Sequence, residues 1–449
     1  MEKKQLRMLI LELLVRIEKD QSYSHLLIDK EIKRNDLAPK DEALLTQIVY
    51  GTLERKMTLD YYLSSFVQSN KKLEPWVKML LRMSVYQMVY LDKIPDHAII
   101  HEAVEIAKKK GHRGIQSFVN AVLRNVQRKG VRKTEEISDP LERLAIETSH
   151  PLWLVKRWTD FYGYETTKDI CHANLKKKPL SVRIQPLKIT LEEAIAHLEQ
   201  EGFQVKPSVF SDQGLVIEKG NILTSSLMEQ GMLTIQDQSS MLATEMLQPE
   251  PGMTVLDACS APGGKATHIA EKMADDGLIY AHDLHKKKVK LIEEKQKSLG
   301  LTIIRASHHD ARKLKELYAD ETFDRILVDA PCSGLGVISG KPEIKYTKTK
   351  EDIERLHSIQ LDILNHVKDL LKPDGRIVYS TCTIDKKENE QVVEKFLAMN
   401  PQFAVDTCFL QELPEALRSS MGVTEFGLQL FPQHFGTDGF FLTRLRKNQ

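Results

Sequence analysis

The 449-residue chain has little cysteine and almost no net charge. Five cysteines stand at 171, 259, 332, 382 and 408, an odd number with no Cys-x-x-Cys pair. That argues against a disulfide framework or a zinc knuckle and suits reduced thiols in the cytoplasm, with no metal site expected. No apolar stretch approaches the roughly 18 residues that cross a bilayer. Met1–Arg7 is charged, and Glu12, Arg16 and Glu18 break the apolar run that follows. This reads as an amphipathic helix, not a signal peptide, and no membrane partner is expected. Internal repeats and low-complexity tracts are also missing, so solenoids and disordered arrays are set aside.

Lys+Arg number 64 and Asp+Glu 63, a net charge of +1 that speaks against a polyanion partner. The balance is uneven along the chain. Residues 1–135 hold 25 Lys/Arg and 17 Asp/Glu, or +8, which leaves −7 for the remainder. A basic first third on an acidic remainder restores the case for nucleic acid. With 41% apolar and 28% charged residues the composition is globular. At about 100–200 residues per domain, two to four domains are expected.

Residues 1–133 read as an all-α bundle. Leu6, Leu9, Ile10, Leu13, Leu14 and Ile17 recur at helical spacing, as do Leu44–Leu53 and Val77–Val89. Pro95-Asp96 opens a further helix, and a last one covers Phe118–Val126. Nine Lys/Arg fall between Lys108 and Lys133, either a solvated face or an anion-binding one. Residues 131–150 read as a linker, and 134–235 as linker plus a small α+β module. Its strands are expected at Leu180–Ile184, Phe203–Val205, Leu215–Ile217 and Leu233–Ile235, with a helix over Leu191–Gln200. From 236 to 449 strands alternate with helices, the pattern of a Rossmann-like, doubly wound parallel sheet.

Such sheets bind ligands beyond the carboxyl ends of their strands. After the first strand comes Asp257-Ala-Cys259-Ser260-Ala261-Pro262-Gly263-Gly264-Lys265. It is not a Walker loop, because Cys259 stands where the first Gly belongs and Ala266 follows Lys265. The dinucleotide fingerprint fails too. A nucleoside without a pyrophosphate fits better, with Gly263 and Gly264 letting backbone approach it. Asp283 follows the second strand, 26 residues past Asp257, where a carboxylate suits a ribose diol. Asp310 follows the third and could accept from a base amine, although a helix cap is the commoner role. Asp329-Ala-Pro-Cys332-Ser-Gly-Leu-Gly336 follows the fourth, and Ser380-Thr-Cys382-Thr383 the fifth. A cysteine is usually a small core residue. These two sit among loop and polar residues, where a thiol is placed to react.

The motifs DAPCSGLG at 329–336 and YSTCTI at 379–384, with Asn389 and Asp438-Gly-Phe-Phe441, resemble those of the RNA 5-methylcytosine methyltransferases. The likeness covers nearly the whole chain. LLTQIVYGTL at 44–53, LRMSVYQMVYLDKIP at 81–95 and FVNAVLR at 118–124 look like the NusB-like helices of the ribosomal RNA branch. The resemblance implies a class I S-adenosylmethionine-dependent fold behind a NusB-like RNA-binding domain. It assigns Cys259–Lys265, Asp283, Asp310 and Asp329 to S-adenosylmethionine, Cys382 to nucleophilic attack and Cys332 to product release. It further implies a cytosine of 16S (small-subunit) ribosomal RNA as target, free or in an assembly intermediate, and not DNA. A monomer is the default. Ser260, Ala266, Gln185 and Gly340-Lys341 depart from the usual pattern.

Carbon 5 of cytosine is too weak a nucleophile to take a methyl group directly, whereas a thiolate added to carbon 6 activates it. Asp329 would then act as an acid near ring nitrogen 3, and Lys265 would lie near the cofactor or the target nucleotide. The two cysteine roles could be exchanged, since DNA enzymes of this chemistry use the Cys of a Pro-Cys motif. An RNA-binding factor with a silent catalytic domain, and a transfer-RNA methyltransferase, are the alternatives.

Overall fold

The computed structural model describes residues 3–20, 24–68 and 72–448, which divide into two compact units. The first unit is helical and comprises residues 1–176 together with 338–347. Its core joins the expected positions, among them Ile10, Leu14, Ile48, Val49, Leu80, Leu81, Val119 and Leu123. Pro39 and Pro75 each open a helix at its first position, where the missing N–H costs nothing. Arg82 is buried here and pairs with Asp60 at 2.8 Å and Glu18 at 3.1 Å.

Two stretches of this unit differ from the sequence reading. Residues 131–150 contain a helix, Pro140–Glu147, followed by Leu152–Tyr162 and Tyr164–Ala173. Ser138-Asp139-Pro140 looks like loop punctuation but is a helix start. Asp139 accepts a hydrogen bond from the Glu142 N–H at 2.7 Å, and Pro140 takes the first helical position. The second stretch is 338–347, which follows the Cys332 loop in sequence yet clusters with the helices. Glu343 accepts from the Ser24 backbone N–H and hydroxyl at 2.9 Å each. Buried Lys345 donates to the Glu54 carbonyl at 2.8 Å, and Tyr346 meets the Ser149 hydroxyl at 2.8 Å. Burial lowers the Lys345 pKa to about 7.

The second unit carries both sheets. Strands β1 (Leu180–Ile184), β2 (Gln204–Pro207), β3 (Gly214–Lys219) and β4 (Leu233–Ile235) form an antiparallel sheet in the order β2-β3-β1-β4. The helix Leu191–Gln200 beside it starts on a reciprocal Thr190–Glu193 cap.

The larger sheet has nine strands. Parallel strands β5 (Thr254–Asp257), β6 (Leu278–Asp283), β7 (Ile304–His308), β8 (Phe323–Asp329) and β9 (Leu371–Thr381) come first. They are followed by β10 (Phe403–Val405), β11 (Val423–Thr424), β12 (Gly427–Leu430) and β13 (Phe440–Lys447), all antiparallel. The sheet is therefore mixed, not wholly parallel. The helix Glu390–Met399 leads into β10, and only the returns from β11 to β12 and from β12 to β13 are made without an intervening helix. The path leaves β5 toward β6 and β7, then returns to β8 and β9 on its other side. The reversal between β5 and β8 is the crevice where such sheets bind ligands.

Candidate active site

Asp257, Asp283, Asp329, Cys332 and Cys382 lie at or just past the carboxyl ends of β5, β6, β8 and β9, whereas Asp310 lies past β7 at the edge of the sheet. Asp257 ends β5 fully buried, and the Ser260 hydroxyl and the Cys259 N–H face its carboxyl group without closing a hydrogen bond of normal geometry. Burial raises its pKa to about 7. An acid whose folded pKa exceeds its ordinary 3.8 folds best protonated. The stability it lends is complete below its ordinary value and is lost as the pH climbs toward 7. Asp257→Asn is therefore expected to raise the thermal unfolding midpoint at pH 8 but not at pH 4. An equal gap at both pH values in a melting experiment would contradict the assignment.

The loop 258–263 is tied to its neighbours. Ala258 donates to the Leu327 carbonyl at 3.0 Å and Ser260 to that of His282 at 2.7 Å. Gly263 has φ +92°, and a Cβ there would lie 3.0 Å from the Ile292 Cα. Backbone conformation and helix packing thus both demand a glycine here. Cys259 is held as a thiol. Burial comes first, and Asp257, Asp329, Asp283 and Asp310 all push its pKa up.

Asp283 ends β6 and accepts from the His285 N–H at 2.8 Å. Asp310, past β7, caps the turn Ala311–Glu316 and pairs with Arg312 at 2.6 Å. The Arg312 hydrogen bond lowers its pKa. The capping role weighed from sequence is thus the one seen, with a cation added.

Asp329, at the end of β8, accepts from the Ser380 hydroxyl at 2.8 Å and from Lys265 Nζ at 2.7 Å. Burial would lower the Lys265 pKa, but the Asp329 carboxylate outweighs it and the net shift is upward. Its ammonium also lies 5.4 Å from the centre of the Phe440 ring and acts on the Cys382 sulfur. The Cys332 and Cys382 sulfurs are 3.3 Å apart and both side chains are half-buried, unlike core cysteines. The Cys382 sulfur, then burial and the Glu388 charge, push the Cys332 pKa well above the thiol range. Gly336 closes this loop against Gly439, whose N–H donates to the Gly336 carbonyl at 2.8 Å. A Cβ on Gly336 would stand 1.9 Å from the Gly439 oxygen. That close approach joins the DAPCSGLG and Asp438-Gly439 motifs.

Other polar residues are part of the site. Asn389 donates to the Thr383 carbonyl at 3.0 Å and to Gln429 at 2.8 Å, which fixes the turn after Cys382. Glu388 accepts from the Ser333 N–H at 2.8 Å. Lys178 pairs with Asp237 at 2.6 Å and Asp438 at 2.5 Å. Arg183, from β1, donates to the Gly264 carbonyl at 3.0 Å and to Glu271 at 2.6 Å. The roles of Glu388 and Arg183 rest on partners 55 and 88 residues away, so no local pattern announces them.

Comparison with known proteins agrees with this architecture. Residues 4–128 match the NusB family, residues 150–223 the ferredoxin-like domain of RsmF/B-like methyltransferases, and residues 244–446 the family described as 16S rRNA methyltransferase RsmB/F. A probable ribosomal RNA small subunit methyltransferase B of Bacillus subtilis (strain 168) is 48% identical, with both chains covered completely. Its Synechocystis counterpart is 33% identical over 96% of this chain and 97% of its own. Among solved structures, PH0851 is 28% identical with a TM-score of 0.83 over 100% of this chain and 99% of that one. A methyltransferase homolog from Pyrococcus horikoshii is 29% identical with a TM-score of 0.59, and covers 70% of this chain and all of its own. Full-length identity of this degree, together with the matching order of three domains, establishes that the chain belongs to the ribosomal RNA small subunit methyltransferase B family.

Proposed function

We propose that the enzyme methylates carbon 5 of one cytosine in small-subunit ribosomal RNA, with Cys382 as nucleophile and Cys332 assisting release. The observation that carries the reading is the pair of half-buried sulfurs, 3.3 Å apart, beside the Lys265–Asp329 pair at the sheet's reversal. A single cysteine could be packing. Two thiols in contact have a use in a reaction that must both form and break a carbon–sulfur bond.

The crevice fits S-adenosylmethionine. The buried Asp257 carboxyl oxygens and the Ser260 hydroxyl face one another, yet none of them closes a hydrogen bond of normal geometry. Such atoms are costly unless a bound group completes them. Asp257, Asp283 and the 259–265 loop would hold it, with Asp310 at the far edge. When bound, S-adenosylmethionine supplies an electrophilic methyl group on a sulfonium.

Lys265 favours an anion at the nearby Cys382 sulfur, whereas the Glu388 charge opposes one at Cys332. We therefore assign the attacking role to Cys382 and the hydrogen-bond-donating role to Cys332. The thiolate adds to carbon 6, and the displaced electron pair of the 5,6 bond makes carbon 5 nucleophilic. Ion-paired Asp329 accepts hydrogen bonds, for instance from the exocyclic amine. The adjoining Lys265 ammonium supplies the positive charge or proton that ring nitrogen 3 needs. After methyl transfer the carbon 5 proton passes to water, ring nitrogen 3 returns to Lys265 any proton it took, the 5,6 double bond re-forms and the carbon–sulfur bond breaks. Cys382 departs as a thiolate that accepts a hydrogen bond from the Cys332 thiol. A base in such a pocket must come from a loop or be turned out of its stack.

The target class is tested by bisulfite sequencing of total RNA from a deletion strain. Loss of one 5-methylcytosine from small-subunit RNA is expected, and a change confined to transfer RNA would overturn the reading. The basic helices bear on affinity. Lys108–Lys110, Arg113, Arg124, Arg128 and Lys129 are all exposed. Neutralising four of them is expected to weaken RNA binding and to flatten the plot of log affinity against log salt by up to ~0.7–0.9 for each phosphate left without its cation. Cofactor affinity, measured by calorimetry, should not move.

A further inference from the structure

We infer that Glu388 is a positioning residue for product release, holding Cys332 against Cys382 through Ser333. The inference rests on the roles proposed above for the two cysteines. Glu388 is fully buried in the turn before the helix Glu390–Met399. One carboxyl oxygen accepts from the Ser333 N–H at 2.8 Å and from Gln360 Nε2 at 3.1 Å, and the other accepts from the Ser333 hydroxyl. Gln360 also donates to the Pro331 carbonyl at 2.9 Å. The residues on either side of Cys332 are therefore both tethered to one carboxyl group and its partner. The Ser333 hydroxyl meets Thr383 Oγ1 at 2.9 Å, which joins the residue after Cys332 to the residue after Cys382. Tyr379 steadies the anchor by donating to the Glu388 backbone carbonyl at 2.6 Å.

A buried carboxyl is an expensive anchor, and packing alone does not call for one. Three donors converge on its two oxygens, and an amide would turn its own NH2 toward a donor. Burial raises the Glu388 pKa to about 7, which the Ser333 hydroxyl opposes and the Asp385 charge reinforces. After the Cys382 sulfur and burial, the charge it carries adds to what keeps the Cys332 sulfur a thiol, the form that can donate to departing Cys382. Methyl transfer itself needs none of these contacts.

The test uses the full-length protein, a small-subunit RNA transcript and tritium-labelled S-adenosylmethionine. Variants Glu388→Ala and Glu388→Gln are compared with Cys332→Ala for turnover, KM for RNA and covalent RNA–protein adduct on denaturing gels. Displacing a contact sulfur by about 1 Å should cost roughly tenfold or more in turnover. The expected pattern is that loss, an unchanged KM and an adduct that accumulates in both Glu388 variants. A merely structural role would lower adduct and turnover together. Glu388→Gln keeps the volume and serves where Glu388→Ala does not fold. Wild-type turnover in both variants, or no adduct in them while Cys332→Ala traps one, overturns the inference. An adduct missing from Cys332→Ala as well would sink the release reading itself.

Discussion

Cys382→Ala is expected to lower single-turnover methylation of a small-subunit RNA transcript by on the order of 10⁴-fold or more, the scale at which enzymes lose an attacking nucleophile. That corresponds to about 5.5 kcal/mol of transition-state stabilisation. The reason is chemical. Without addition at carbon 6, carbon 5 has no electron pair to offer. The substitution removes only a sulfur and leaves the Lys265–Asp329 pair in place, so cofactor affinity should stay within about twofold. A variant that retains more than about a tenth of the wild-type rate would move the nucleophile elsewhere, with Cys332 the first candidate. Cys382→Ser is the stricter control, because it keeps the shape and a hydroxyl but replaces the readily ionised thiol.

The largest expected effect on stability lies at Arg183. It is completely buried, and its guanidinium holds Glu271 through two hydrogen bonds of 2.6 and 2.9 Å. It also donates to Thr267 at 3.1 Å, to the Gly264 carbonyl at 3.0 Å and to the Gln236 side chain. Burial raises the Glu271 pKa in spite of the Arg183 charge, so the carboxylate depends on that partner. Removing one member of a buried pair strands the other, at a cost of about 3–5 kcal/mol. Arg183→Ala should therefore lower the thermal midpoint by roughly 6–20 °C at 2–4 °C per kcal/mol. The double variant Arg183→Met/Glu271→Met should recover part of that deficit, because neither charge remains buried alone. If the single variant melts within about 2 °C of wild type, the pair contributes little. Arg183 also ties β1 of the small sheet to the start of the helix Gly264–Lys272, so weaker cofactor binding should accompany the lower stability.

What could be read in advance follows from the physics of each feature. Asp283, Asp329 and Cys382 follow apolar strands in a chain that alternates strand with helix, so the rule for parallel sheets places them on one edge. The direction of β10–β13 could not be read that way, because hydropathy does not encode which neighbour a strand joins. The helix Pro140–Glu147 hid behind Asp139-Pro140, a pair that serves equally in a turn and in a helix start. Residues 338–347 carry no local mark of belonging with the helices. Their membership comes from Glu343, Lys345 and Tyr346 finding partners some 200 to 320 residues away. Gly263 stands where the sequence suggests a ligand-contacting glycine, and its positive φ and the packing of Ile292 are further demands that no local pattern announces. The net charge of +1, taken whole, points away from RNA. Divided, it separates a basic helical surface from acidic residues at the carboxyl ends of β5, β6 and β8.

The central claim is that Cys382 bonds to the target base. The direct measurement incubates wild-type enzyme and S-adenosylmethionine with transcript containing 5-fluorocytidine. Fluorine at carbon 5 cannot leave as the proton does, so an adduct formed by addition at carbon 6 persists. Nuclease and protease digestion followed by mass spectrometry then locates the nucleotide. A modified peptide carrying the nucleotide on Cys382 is the expected result. The nucleotide on Cys332, or no covalent adduct while the unmodified transcript is still methylated, would contradict it.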